Sequence, residues 1–157
     1  IKYKLMPKAS VKRLIKCKKE DLINLVLDIE KYPEFVPFCY NAKIYEVNDE
    51  NNLKKIIADL TIGKGPFKDT YKSDVVFNKK NDTIYVKNID GPLNHLSNNW
   101  IFSDKKKGIT EVTFDIDFEI KNKFLNSLMI VSFQFGLEKI ADAFQKRAEE
   151  LFGNFKN

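Results

Sequence analysis

Val112-Thr113-Phe114-Asp115-Ile116-Asp117-Phe118-Glu119-Ile120-Lys121 alternates without a break between apolar and polar side chains. A period of two held over that length predicts a strand with one face in an apolar interior and the other in water. The period then changes. From 123 to 152, Phe133, Leu137, Ile140, Phe144, Ala148 and Leu151 recur every three or four residues. Glu138, Lys139, Asp142, Gln145, Lys146 and Glu149 fall on the opposite side. The pattern predicts an amphipathic helix of about thirty residues, roughly 45 Å long. Outward from this pair, the strand over about 109–121 is preceded by strand-like segments near 8–17, 40–48, 53–63, 68–78, 82–90 and 96–104. Asn48–Asn52 and Asn78–Asp82 read as hairpin turns, and a shorter helical pattern covers 19–30. There is no internal repeat and no linker. One helix of that length beside seven strands predicts an α+β domain in which a curved antiparallel sheet wraps the helix.

A strongly curved sheet and a straight helix cannot touch everywhere, so an apolar tunnel between them is expected. The first half of the helix is apolar around most of its circumference, with Phe124, Leu125, Leu128, Met129, Ile130, Val131, Phe133 and Phe135. Such a surface is either buried on all sides or dipped into lipid. The segment Glu30-Lys31-Tyr32-Pro33-Glu34-Phe35-Val36-Pro37-Phe38-Cys39 supplies a third wall. Pro33 and Pro37 each remove a donor and bias the preceding residue toward extended backbone, so a long helix cannot run through it. A short, kinked, apolar lid between a helix and the sheet is expected instead.

Asp28–Cys39 also resembles the signature of the coenzyme Q-binding protein family, within the polyketide cyclase/dehydrase group of START-like lipid-binding domains. Two further stretches carry the same resemblance in the same order. They are Asp90-Gly91-Pro92-Leu93-Asn94-His95-Leu96-Ser97-Asn98-Asn99-Trp100 and Ala143-Phe144-Gln145-Lys146-Arg147-Ala148. The similarity spans roughly residues 8–153. It implies a START-like helix-grip fold with a short helical lid after the first strand. A basic extension would occupy residues 1–7 and a single lipid-binding domain residues 8–157. It implies a polyprenyl quinone, ubiquinone or a late precursor, held in the tunnel as cargo with no catalytic cofactor. The protein would act as a lipid chaperone in respiration or in ubiquinone biosynthesis. The expected lining is Tyr32, Phe35, Val36 and Phe38 from the lid, with Leu60, Ile62, Phe67, Tyr71, Leu93, Trp100, Phe102 and Phe118 from the strands. Leu128, Val131 and Phe135 would complete it from the helix. Val36, Phe38, Trp100, Phe118, Leu128 and Val131 are expected to share one interior space. Trp100 reads equally as core filling. Lys64 stands where the family usually has a more hydrophobic segment.

Relatives in the same family include a bacterial ribosome-association toxin, so a ribosome-binding inhibitor is the alternative reading. The resemblance places a carrier in mitochondria, on the matrix side of the inner membrane, and the alternative in the bacterial cytoplasm. Ile1 in place of Met is compatible with a removed presequence.

The chain of 157 residues is 43% hydrophobic and 31% charged, which suits one domain with one core. Thirteen Phe and six Tyr suit either an aromatic β core or a ring-lined cavity. The net charge of +5 is local. Residues 1–19 hold eight Lys or Arg and no acid, whereas residues 20–157 hold nineteen basic and twenty-two acidic residues. A broad nucleic-acid-binding face is therefore not expected, and no nucleic acid enters the preferred reading. A basic end suits an anionic membrane surface or a lysine-protected edge strand. Cys17 and Cys39 are expected to be reduced thiols, and one histidine cannot complete a zinc site with them. No run of apolar residues is long enough to cross a membrane, and no secretory signal is visible.

Catalytic constellations are sparse. His95 reads as a structural hydrogen-bonding residue. Gly63-Lys64-Gly65-Pro66 lacks the ending of a phosphate-binding loop, and Pro66 removes an amide that phosphate would need; it reads as a turn near the tunnel mouth. Asp115 with Asp117, and Glu149 with Glu150, fall on faces expected to be solvated. An aromatase/cyclase-type enzyme is therefore the third and weakest reading.

Overall fold

The computed structural model describes residues 8–153. The basic extension expected over 1–7 lies outside the described residues. The element order is β1 (Lys8–Ile15), α1 (Lys19–Leu27), a 3-10 lid (Ile29–Glu34), β2 (Cys39–Glu50), β3 (Leu53–Lys64), β4 (Phe67–Asn78), β5 (Thr83–Asp90), β6 (Leu93–Lys106), β7 (Ile109–Ile120) and α2 (Lys123–Phe152). The strands form one antiparallel sheet in the order β1-β7-β6-β5-β4-β3-β2. This is the expected α+β architecture.

Boundaries differ from the sequence reading where local chemistry intervenes. The helix expected over 19–30 stops at Leu27, and Ile29–Glu34 winds into a 3-10 turn with Pro33 inside it. Pro33 disfavours α geometry in the residue before it, and the tighter turn resolves the conflict. Strand β6 starts at Leu93 and runs to Lys106, because register shifts at Leu93/His95 and Asp104/Lys106 let pairing continue past the irregularities.

Cross-strand register aligns the inward side chains in rows. Ile56, Val75, Val86, Asn98 and Ile116 make one row, and Ile84, Trp100, Phe114 and Val11 another. Helix α2 lies along β1 and covers that edge strand. Gln134 Nε2 donates to Ser10 O (3.3 Å) and Gln145 Nε2 to Leu14 O (3.2 Å), while Lys16 N donates to Glu149 (2.9 Å). Two carbonyls on the free edge of β1 and the amide just after it are thereby satisfied by side chains, which blunts the edge. Asn122 caps α2 by accepting from Phe124 N (3.0 Å) and Leu125 N (3.1 Å). Ile120 N donates to Asn126 Oδ1 (3.1 Å), which sets the angle at which the helix leaves β7.

Leu137, Ala141, Phe144 and Ala148 are the buried residues of α2, all from its midpoint onward. They join α1 and most of the sheet in a main core that includes Leu22, Ile56, Ile84, Trp100 and Phe102. A second, smaller cluster of Tyr71, Leu93, Leu96 and Phe118 lies toward the other end of the sheet. Phe133 is the α2 residue packed against it.

Candidate functional site

The turns and starts that bound the second cluster come from one end of the sheet. There β3 ends at Lys64, β4 begins at Phe67, β5 ends at Asp90, β6 begins at Leu93 and α2 begins at Lys123. The lid arrives at this end through Phe38, which has φ of 69°, a left-handed conformation that a bulky residue rarely adopts. Its carbonyl accepts from Gly63 N (3.0 Å). Gly63 itself has φ of 145°, and a Cβ there would meet Phe67 O at 2.0 Å, so the β3–β4 hairpin requires glycine at that position. A Cβ added to Gly136 would approach the Phe38 ring at 3.9 Å. Phe38 thus stands between the hairpin and the middle of α2.

The lid is held by rings. Phe144 meets Tyr32 (5.4 Å), Phe35 (5.2 Å) and Trp100 (5.1 Å) edge-on. Such pairs add about 0.5–1.5 kcal/mol each beyond burial. The Tyr32 hydroxyl donates to Val26 O, which ties the lid to α1. On the outer side the Arg147 guanidinium lies 5.2 Å from the Phe35 ring centre and 3.8 Å from Glu34.

The expected lining residues fall into three groups. Tyr71, Leu93, Trp100, Phe102 and Phe118 are buried. Tyr32, Phe35, Val36, Phe38 and Leu60 are half-buried around them. Ile62, Phe67, Leu128, Val131 and Phe135 are exposed, Val131 at 88%. The expectation of one shared interior space is therefore corrected. Trp100 packs in the main core against Phe102, Phe114 and Phe144, with Nε1 donating to Asn98 Oδ1 (3.0 Å). Phe118 sits in the second cluster against Phe133 (4.5 Å). Leu128 and Val131 do not face the interior.

Helical geometry explains that correction. Phe124, Leu128, Val131 and Phe135 are spaced by four, three and four residues, so they share one stripe. The capped start of α2 turns that stripe away from the sheet and presents Phe133 to it. A sequence that is apolar around the whole helix does not say which side the sheet will take. The exposed residues Ile62 and Phe67 extend the inward rows of β3 and β4 beyond the cover of the helix.

The later, described part of the basic stretch, residues 12–19, also falls elsewhere. β1 runs from the level of Asp117 to that of Thr110, so residues 12–19 lie at the far end from the apolar stripe. Lys19 is paired with Asp82 (2.9 Å) and Asp104 (3.1 Å), and Arg13 with Asp142 (2.9 Å). Lysine spacing in the sequence could not reveal these partners.

His95 is on the outer face of β6, with Nε2 2.8 Å from Asp117 Oδ1. Among the described residues, no group of three or more His, Cys, Asp or Glu side chains is placed to hold a metal ion. No described helix is long and apolar enough to cross a membrane. Surface depressions beside Asn48–Lys55 and along Asp142–Glu150 are lined mostly by polar side chains and lie away from the apolar rows.

Cys17 and Cys39 are free and buried. Burial pushes the Cys17 and Cys39 thiols up to about 11 from an ordinary 9.0. At pH 8 about one thiol in a thousand is then ionised. A thiol-specific disulfide reagent is expected to label both cysteines at least about a hundredfold faster in denaturant than in the native protein. The native state keeps protons that the unfolded chain releases. Stability from this source is whole below pH 9 and falls as pH rises toward about 11. Urea midpoints at successive pH values check the sign, and a midpoint rising from pH 9 to 11 would contradict it.

A sheet that grips one long helix, closed by a lid and apolar along its concave face, defines the class of helix-grip domains. The chain belongs to the family described as polyketide cyclase / dehydrase and lipid transport, whose model matches residues 17–149. It is 32% identical over 142 residues to the ribosome association toxin RatA of Rickettsia prowazekii, covering 88% of this chain and 94% of that protein. It is also 32% identical over 154 residues to the mitochondrial coenzyme Q-binding protein COQ10 of Dictyostelium discoideum, covering 96% of this chain and 73% of that protein. Among solved structures, a START superfamily protein from Mycobacterium smegmatis superposes with a TM-score of 0.77 at 17% identity, over 92% of this chain and 98% of that one. That likeness establishes the START-like fold.

Proposed function

We propose that the protein binds a polyprenyl quinone, ubiquinone or a late precursor, on the concave face at the lid end and carries it to and from a membrane, with no chemical step. The observation that supports this best is the division of α2. Its second half is buried in the main core, while its first half covers a separate apolar cluster and leaves Phe124, Leu128, Val131 and Phe135 exposed. A protein with no apolar partner gains nothing from such a stripe beside an apolar concavity. Lys121 and Lys123 flank the stripe, and no acid occurs from 120 to 137. Those charges suit an anionic membrane surface. The similarity to the coenzyme Q-binding protein supports a quinone as the cargo and a mitochondrial setting.

Energetics suit a carrier. Burying one isoprene unit yields on the order of 3–4 kcal/mol relative to water, but a bilayer is equally apolar, so net transfer is near zero and the cargo is released. Organic extraction of the purified protein is expected to yield a prenylated quinone well above the amount on an unrelated control protein. An extract with no lipid would end this reading.

One observation favours the alternative, ribosome association, besides the similarity to the toxin. On the convex face Lys68 lies 3.8 Å from the Tyr40 ring centre, and Lys43 (4.9 Å) and Lys72 (4.7 Å) flank Tyr45. Exposed rings beside cations can stack on bases. Asp59 offsets part of that charge, accepting from the Tyr45 hydroxyl at 2.8 Å. Saturable large-subunit binding at physiological salt, weakened by Tyr45→Ala, would favour the alternative over a carrier.

A further inference from the structure

Tyr71 is 9% exposed and belongs to the second cluster, among Leu93, Leu96 and Phe118, with Leu60 and Phe133 packed against it. It pairs with Leu60 across β3 and β4, on the concave side. Among the described residues its hydroxyl makes no hydrogen bond, and the oxygen is not sealed from solvent. Its neighbours on this face are partnered. Ser73 Oγ donates to Ala58 O (3.2 Å), and Asn98 Nδ2 donates to Asp115 O (2.9 Å). Asn88 donates to Leu93 O (3.1 Å) and accepts from Leu96 N (2.8 Å). The ring is thus held in an apolar cluster while the hydroxyl stays open to a ligand that enters the concavity.

The phenol is within electrostatic reach of Cys39 and of the Tyr32 hydroxyl, so it lies beneath the lid. Burial holds its ionisation far above the ordinary tyrosine range, and the hydroxyl keeps its proton at physiological pH. It is a neutral donor in an apolar surrounding, where one well-placed polar group fixes a ligand's orientation.

We propose that the Tyr71 hydroxyl donates a hydrogen bond to a ring carbonyl oxygen of the bound lipid, seating a quinone-type head group under the lid with its apolar tail toward the exposed stripe of α2. This rests on the lipid-carrier reading and adds to it the group that recognises the head.

The test uses the full chain, wild type and Tyr71→Phe, titrated with ubiquinone carrying a saturated ten-carbon tail and with an alkylbenzene of the same tail length. Trp100 fluorescence reports binding, and the infrared carbonyl stretch of the bound quinone reports the hydrogen bond. Tyr71→Phe is expected to weaken quinone binding about threefold to tenfold and to leave the alkylbenzene unchanged. The carbonyl stretch is expected at lower frequency on the wild type than in hydrocarbon solvent, and to return in the variant. Equal quinone affinity in the two proteins, or an unshifted stretch on the wild type, overturns the Tyr71 proposal while alkylbenzene binding leaves the carrier reading standing. Binding of neither compound by the wild type overturns the carrier reading, and this proposal with it.

Discussion

Phe144→Ala is expected to destabilise the protein by about 3–5 kcal/mol, the usual range for removing a buried aromatic ring. Phe144 is 3% exposed and its ring meets Tyr32, Phe35 and Trp100. No other helix residue joins the lid to the sheet through so many rings. The loss has two parts, the transfer free energy of the ring and the cavity it leaves between three others. The lid would then be held by the Tyr32 hydroxyl on Val26 O, by Ile44 N on Glu30, by Gly63 N on Phe38 O and by the outer Arg147 contacts. Exposed charge pairs of that kind are worth about 0–1 kcal/mol. Urea unfolding followed by Trp100 fluorescence measures the change, and Phe144→Leu is expected to recover part of it. A cost below about 1 kcal/mol for the alanine variant would mean that the lid and the main core are not coupled through this ring.

The second large effect is on membrane exchange and not on folding. Leu128→Asp combined with Val131→Asp alters side chains that are 50% and 88% exposed. Each substitution is expected to change stability by no more than about 0.5 kcal/mol. Immersing a leucine or valine in lipid contributes about 1.5–3 kcal/mol, so losing both is expected to weaken binding to anionic vesicles by about a hundredfold or more. Lys121 and Lys123 add about 1 kcal/mol each near such a surface, so raised salt weakens wild-type binding as well. Vesicle flotation of the wild type and the double variant at low and high salt measures both contributions. Equal flotation of the two proteins would remove the membrane from the proposed cycle. A large loss of stability in the double variant would show that the helix start is buried in solution.

The strand periods, the long helix and the proline-kinked lid were legible because each depends on local chemistry. Alternation at 112–121 reports a half-buried strand wherever it occurs, since side chains project to opposite faces. Spacing of three and four from Phe133 to Leu151 reports a helix with one buried side. Pro33 limits its neighbours' backbone without reference to the rest of the chain. The bounds of β6 were less legible, because bulges continue a ladder that the sequence pattern interrupts.

The site was legible only where one face of an element was polar. Phe118 and Tyr71 alternate with polar neighbours, so their inward direction follows from the strand period. The first half of α2 has apolar residues on nearly every side, and no periodicity can choose among them. That choice belonged to the Asn122 cap, the Asn126 bond to Ile120 and the packing of Phe133 on Phe118, each involving groups brought together by the chain's path. The basic residues at 12–19 followed the same rule, since their acidic partners come from β7, the β4–β5 turn, β6 and α2. Local sequence determined which segments would be strand, helix or lid. Tertiary structure alone decided which face of an all-apolar helix meets water and which hydroxyl stays without a partner, because burial and hydrogen bonding at those positions depend on residues distant in the chain.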